Sequence, residues 1–240
     1  MTALTLSVSV ISIVTVASFL RSFFGFGLAL VAMPFLALLI DLKTATPLAA
    51  LLGTTIGLLI LLRSWRDIDL SAAWRLILSS LIGIPIGLYV LKTAPDALIK
   101  GVLGLTIILF ALYRLAQPHL LALKQPRWIY FFGLIAGVMG GAYNTSGPPL
   151  ILYGALRRWS PPRFRATMQG YFFPTGLFIA LGHSLTGFWT PQVMQFYTLS
   201  LPLVLIAFWL GEKYNRRIPE NRFEQLLYLA LIVVGGLLFF

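Results

Sequence analysis

Three consecutive side chains that can hydrogen-bond an anion, Asn144, Thr145 and Ser146, lie inside a long apolar stretch. Glycines precede them and prolines follow, and both residue types interrupt helices. Backbone N–H groups at the start of a helix, with the positive end of its dipole, bind oxyanions such as sulfonate, sulfite, phosphate or carboxylate. The pattern predicts a helix break that binds an anion through Gly140, Gly141, Asn144, Thr145, Ser146 and Pro149.

A second, leaner break is predicted near the start of the chain, where Gly25-Phe26-Gly27 is followed by Pro34. Glycine lets the backbone approach an anion closely, so Gly25, Gly27 and Pro34 join the candidate substrate-binding residues. Arg21 is the one charged residue inside this apolar run. It either meets the solute or extends to the membrane interface, and the sequence leaves both interpretations open.

Gln169 and His183 complete the candidate site as polar residues of one later apolar segment. Polar groups in membrane helices face the bundle interior, where they contact solute or hydrogen-bond to another helix, and both alternatives stay open. The other candidates also have plainer interpretations. The glycines could serve only close helix packing, and the three residues from Asn144 could only cap a half-helix.

These residues belong to a chain of 240 residues that is 59% hydrophobic and 10% charged. About 20 helical residues cross a hydrocarbon core of about 30 Å. Apolar runs, free of charge except for Arg21 in the first, cover residues 2–40, 44–62, 76–91, 101–113, 128–156, 166–210 and 225–240. The sixth divides at Thr186-Gly187-Phe188-Trp189-Thr190-Pro191. The sequence predicts an all-α polytopic membrane protein of about eight hydrophobic segments, with no soluble domain.

The helix-breaking residues recur in two halves of the chain. Gly25-Phe26-Gly27 with Pro34 corresponds to Gly140-Gly141 with Pro149, and later Gly87 with Pro95 corresponds to Gly211 with Pro219. We therefore predict a first transmembrane repeat over residues 1–116, a connector over 117–127 and a second repeat over 128–240.

Two runs are too long for one straight crossing, because at 1.5 Å per residue 2–40 would extend about 58 Å and 128–156 about 43 Å. If each folds back at its Gly-rich break, only Lys43, Lys92 and Lys100 of the connector basic residues lie outside the cytoplasm, against fourteen inside. Single crossings would divide them eleven to six. The positive-inside rule favours re-entrant segments in two inverted four-segment halves, a plan of secondary transporters.

Several kinds of chemistry are disfavoured by the composition. The chain has no cysteine, and its seven acidic residues fall in connectors or at helix ends, so no carboxylate serves a mid-membrane proton relay or cation site. The net charge of +11 lies in connectors, where membrane topology explains it without nucleic acid. No cofactor and no metal are expected.

The motifs resemble those of the TauE/SafE family of sulfite and organosulfonate exporters, along nearly the whole chain. The matching stretches are Phe24-Gly25-Phe26-Gly27 to Pro34, Gly137 through Gly140-Gly141 to Pro148-Pro149, Lys43-Thr44-Ala45-Thr46, Arg66-Asp67-Ile68-Asp69 and Arg163-Phe164-Arg165-Ala166-Thr167. The resemblance implies a multi-pass protein of the bacterial inner membrane that exports a small sulfur-containing anion. Its partners would be this anion and the lipid bilayer, and a homo-oligomer stays open.

The sequence differs from the usual family motif in one respect, the solutes of the family vary, and two other functions are alternatives to export. The first motif has less glycine than is usual in the family, so the two halves need not contact solute equally. The family also transports different solutes. A membrane-embedded enzyme acting on lipid phosphates would need an intramembrane acid or a Ser/His/Arg set, and a scaffold or assembly protein would tolerate bulky residues at the breaks.

Overall fold

Helices make up most of the part of the chain that the structure, a computed structural model, describes. The described residues are 2–24, 27–64, 70–116, 122–123, 125–214 and 221–239. The helices are α1 (Ala3–Phe24), α2 (Leu28–Leu39), α3 (Leu42–Ser64), α4 (Leu70–Thr93), α5 (Asp96–Ala116), α6 (Trp128–Tyr143), α7 (Gly147–Leu156), α8 (Pro161–Leu185), α9 (Pro191–Tyr214) and α10 (Asn221–Leu237). The predicted all-α class is confirmed. Gly25, Phe26, residues 66–69 and most of the predicted connector 117–127 lie outside the described residues.

The helices follow the apolar runs of the sequence. Among the described residues, α1, α3, α4, α5 and α9 are long and apolar enough to cross a membrane. The predicted division of the 166–210 run is confirmed, because α8 ends at Leu185 and α9 begins at Pro191. In contrast, α2, α6 and α7 have 12, 16 and 10 residues, or about 18, 24 and 15 Å of helix, too short for a complete crossing.

The chain folds back on itself at both breaks. Ser12, Ile13 and Val16 of α1 line one groove with Val31 and Phe35 of α2, so the second helix runs back along the first. Likewise, α7 returns along α6, since the rings of Phe132 and Tyr153 lie 5.3 Å apart between centroids. One continuous helix would separate these two residues by about 30 Å.

The second break lies later in the sequence than predicted. Helix α6 continues through Gly140 and Gly141 to Tyr143, and the chain turns at Asn144, whose φ of 55° is left-handed. A Cβ on Gly141 would overlap the carbonyl oxygen of Ile84 in α4. The prediction that the break begins at Gly140-Gly141 is therefore wrong, because glycine at 141 makes room for a neighbouring helix.

The first five helices can be matched in order with the last five, α1 with α6 through to α5 with α10. Most of the strong helix–helix contacts then have a counterpart. Helix α4 packs on α6 as α9 packs on α1, and α4 contacts α8 as α9 contacts α3. The pairs α3·α8 and α5·α10 join corresponding helices. Two related halves would produce this pattern, while their boundaries and their inverted orientation in a membrane stay predictions.

Candidate functional site

A cavity of about 50 Å³ lies where the two breaks meet. One buried water needs about 10–15 Å³ measured in this way, so the space holds several waters or one small anion. The breaks contribute Gly27, Leu28, Ala29, Leu30, Asn144, Thr145, Ser146 and Gly147, α1 contributes Arg21, and the side walls are Gly53 and Thr54 of α3 with Phe172, Thr175, Gly176 and Ile179 of α8.

Arg21 supplies a positive charge to this cavity. Only 8% of the residue is exposed, and its guanidinium carbon lies 6.0 Å from the ring centroid of Phe172. Its Nη1 is 3.1 Å from the point that a Cβ on Gly53 would occupy. Within the described part of the chain no carboxylate is paired with Arg21. A buried cation in this setting is stabilised by an anion that enters the cavity.

The second break supplies polar side chains. Asn144 Nδ2 lies 3.3 Å from the same Gly53 point that Arg21 approaches. Thr145 is 3% exposed, and its Oγ1 has no hydrogen-bond partner among the described residues. Leaving a buried hydroxyl unpaired costs about 1–3 kcal/mol. Thr145 therefore lines the cavity with a hydroxyl whose hydrogen-bonding capacity no described group satisfies.

The first break supplies backbone donors. Helix α2 begins after Gly27, which has a φ of 99° and makes no side-chain cap hydrogen bond. The N–H of Val31 bonds to the Gly27 carbonyl at 3.0 Å, so the N–H groups of Leu28, Ala29 and Leu30 have no acceptor within the helix. All three residues line the cavity. Their donors and the helix dipole favour an anion there.

The second half-helix, α7, provides few such donors, because Pro148 and Pro149 at its start lack an N–H group. The two breaks are thus complementary: the first offers backbone N–H groups, and the second offers side chains. The first motif looked leaner in the sequence, yet it presents more backbone donors.

Hydrogen bonds between helices hold the two side walls of the cavity in place. Tyr171 of α8 bonds to Ser80 of α4 at 2.7 Å, and the Ser80 hydroxyl donates to the Gly133 carbonyl of α6, also at 2.7 Å. On the other wall, Thr55 of α3 and Tyr197 of α9 are 2.8 Å apart between hydroxyl oxygens. Each wall helix is therefore bonded to a helix of the other predicted half.

Six predicted site residues lie outside the cavity lining: Pro34, Gly140, Gly141, Pro149, Gln169 and His183. His183 is completely buried, and its Nε2 lies 3.3 Å from the Gly141 carbonyl oxygen. That carbonyl belongs to the last turn of α6, where the helix itself provides no donor. Thr46 donates to the next carbonyl, that of Ala142, at 3.4 Å. His183 and Thr46 thus each bond to one carbonyl group in the last turn of α6.

Comparison with known proteins shows the family to which a chain with this cavity belongs. The sequence model of the family described as "Sulfite exporter TauE/SafE" matches residues 10–238. This chain belongs to the TauE/SafE family. It is accordingly a multi-pass inner-membrane protein of a transporter family.

One relative of this TauE/SafE protein comes from Cupriavidus necator and is described as "Probable sulfite/organosulfonate exporter TauE". The two sequences are 25% identical over 171 residues, covering 68% of this chain and 67% of the relative. No solved structure matches the chain. Within its described residues, no group of three or more His, Asp or Glu side chains comes together as metal ligands do.

Sequence reasoning missed the side walls of the TauE/SafE cavity. Gly53 and Thr54 lie in α3, and Thr175 and Gly176 lie in α8. A Cβ on Gly176 would lie 3.2 Å from Thr54 Oγ1, so the two walls meet at these residues. The signal was an adjacent glycine and threonine in each of two apolar helices, in the order Gly-Thr and then Thr-Gly.

Proposed function

We propose that this TauE/SafE protein exports a small sulfur-containing anion, such as sulfite or an organosulfonate, across the bacterial inner membrane by alternating access. The observation that carries the proposal is the cavity between the two breaks. It combines a buried Arg21 without a carboxylate partner in the described residues and a Thr145 hydroxyl without a hydrogen-bond partner there. Both groups are complementary to an oxyanion.

The arrangement of donors matches the chemistry of such a solute. A sulfite or sulfonate group carries three oxygens with negative charge, and each accepts hydrogen bonds. Every hydrogen bond to such an anion is charge-assisted and about twice as strong as a neutral one, and Arg21 would add the attraction of a full positive charge. Asn144, Thr145 and the N–H groups at the start of α2 would orient the anion.

Export of an anion does not require a carboxylate in the membrane. The described acidic residues include Asp41 before α3, Asp96 at the start of α5 and Glu212 in the last turn of α9. An interior-negative potential of about 100 mV favours the exit of a monoanion by about 2.3 kcal/mol. The membrane potential is therefore a sufficient driving force in the proposed mechanism.

The proposal is tested by reconstituting the purified protein in liposomes and measuring uptake of sulfite, thiosulfate, sulfoacetate and sulfate under an imposed potential. We expect saturable flux of at least one sulfur-containing anion, increased when the receiving compartment is positive. The absence of saturable flux for every anion would overturn the proposal and return attention to a scaffold role or to an enzyme acting on lipid phosphates.

A matched pair of variants links flux to the cavity. Asn144→Asp keeps the size of the side chain but places a negative charge where the anion would bind, so flux should fall to background. Gln195→Glu makes the same change on an exposed position of α9 and should leave flux unchanged. Equal flux in the two variants would show that the solute does not contact Asn144.

A further inference from the structure

In the cavity wall that α3 forms, Gly53 has no side chain, and the side chains of Arg21 and Asn144 both approach it. The point that a Cβ on Gly53 would take is 3.1 Å from Arg21 Nη1 and 3.3 Å from Asn144 Nδ2. These nitrogens belong to α1 and to the second break, which are far apart in sequence. Both distances are shorter than the ordinary van der Waals contacts of a Cβ atom, so the two side chains fit here because residue 53 has no side chain of its own. The bare backbone of Gly53 thus lets Arg21 and Asn144 pack against α3, and all three residues line the cavity.

Gly57, one helical turn further along α3, has a different environment. A Cβ there would lie 3.6 Å from Arg21 Nη2 and 3.6 Å from Phe173, which are ordinary van der Waals contacts. Gly57 is also absent from the cavity lining, whereas Gly53 belongs to it. The two glycines therefore share a helix and a neighbour, but only Gly53 lies between the two donors.

We propose that Gly53 is a specificity-determining residue of the anion site, whose missing side chain sets the size of the oxyanion that Arg21 and Asn144 hold together. The inference rests on the proposed function and narrows its substrate class. The cavity measures about 50 Å³, and its remaining walls include Phe172, Ile179 and Leu28. This space holds a compact inorganic oxyanion such as sulfite, whereas the organic tail of a sulfonate would have to extend through the open side of the cavity.

A methyl group at position 53 would occupy the space against which the Arg21 and Asn144 side chains now pack. It would also press on the nitrogens of Arg21 and Asn144, one of which must move by a few tenths of an ångström. The displaced nitrogen would narrow the space for the anion and weaken its own hydrogen bond to it. Loss of a hydrogen bond to a charged group costs about 1.5–3 kcal/mol, which corresponds to a roughly ten- to hundredfold weaker interaction.

The test compares Gly53→Ala with Gly57→Ala in liposomes, with sulfite and thiosulfate as solutes. For Gly53→Ala we expect the KM for sulfite to rise by about tenfold or more, with a still larger loss for the bulkier thiosulfate. Gly57→Ala should stay within about twofold of the wild type for both anions. Equal effects of the two substitutions, or an unchanged ratio between the two anions, would overturn the role of Gly53.

A second measurement on the wild-type protein covers the case in which Gly53→Ala does not fold. Unlabelled sulfite and sulfoacetate are compared as inhibitors of labelled sulfite flux, and sulfoacetate should inhibit at least about tenfold more weakly. Equal inhibition by the two would overturn the preference for compact anions while leaving export itself supported. Absence of any wild-type flux would instead overturn the proposed function.

Discussion

The guanidinium carbon of Arg21 lies 6.0 Å from the centre of the Phe172 ring, so a charge on α1 rests against α8. A cation–π contact of this length contributes about 0.5–2 kcal/mol, depending on how far it is desolvated. That is less than the cost of burying an unpaired cation, which amounts to several kcal/mol. The described structure therefore holds Arg21 in a position that a bound anion would stabilise.

Arg21→Met should separate stability from transport. Methionine has a similar length without the charge, so the thermal unfolding temperature in detergent should rise while anion flux falls by about a hundredfold. Arg21→Lys keeps the charge but loses the planar fork, and we expect intermediate flux. A loss of stability in Arg21→Met, with normal flux, would assign Arg21 to the packing of α1.

Thr145→Val should weaken transport without weakening the fold. Its Oγ1 has no partner within the described residues, so removing it leaves the unfolding free energy unchanged or higher, while flux falls by about tenfold. Thr167→Val is the matched control, because Thr167 is also buried but donates to the Arg163 carbonyl at 2.8 Å and lies outside the cavity. Similar flux in both variants would exclude Thr145 from the binding site.

The helices of this protein are predictable because apolar run length and connector charge act locally. Run 128–156 was too long for one crossing, and the structure divides it into α6 and α7. The position of that division was not predictable. Glycine both interrupts helices and permits close packing, and at Gly141 the choice depends on Ile84 of α4, which is distant in sequence.

The site was predictable only where its residues differ from their surroundings. Arg21 and the residues from Asn144 to Ser146 are polar in apolar runs, and the structure brings them to one cavity. Gly53 carries no chemical group of its own. Its place in the site comes from the convergence of Arg21 and Asn144 upon it, which exists only after the helices pack.

Gly141→Ala should destabilise the protein by about 1–3 kcal/mol through overpacking against α4. Gly236→Ala is the control, since a Cβ at that position meets nothing within 4 Å. In the control, the better helix propensity of alanine should preserve or slightly raise stability. Unfolding in detergent, followed by circular dichroism, distinguishes the two, and equal midpoints would contradict the close α4–α6 packing.

Cysteine labelling can test the inverted topology, because the sequence contains no native cysteine. Lys92→Cys at the end of α4 and Lys213→Cys at the end of α9 are both exposed positions. If both breaks are re-entrant, a membrane-impermeant thiol reagent should label the first in intact cells and the second only after permeabilisation. Labelling of both from the same side would indicate single crossings and would contradict the charge argument.

His183 should act through packing rather than through contact with the solute. Its Nε2 donates to the Gly141 carbonyl at 3.3 Å, and the residue lies outside the cavity lining. Glutamine can donate the same hydrogen bond but does not titrate, so His183→Gln should keep both flux and its pH dependence. His183→Leu leaves the buried carbonyl without this donor and should cost about 1–3 kcal/mol of stability. Liposome flux measured at several pH values checks this, with folding verified for each variant. If His183→Gln folds normally but flux loses its pH dependence, the His183 imidazole carries a proton during transport.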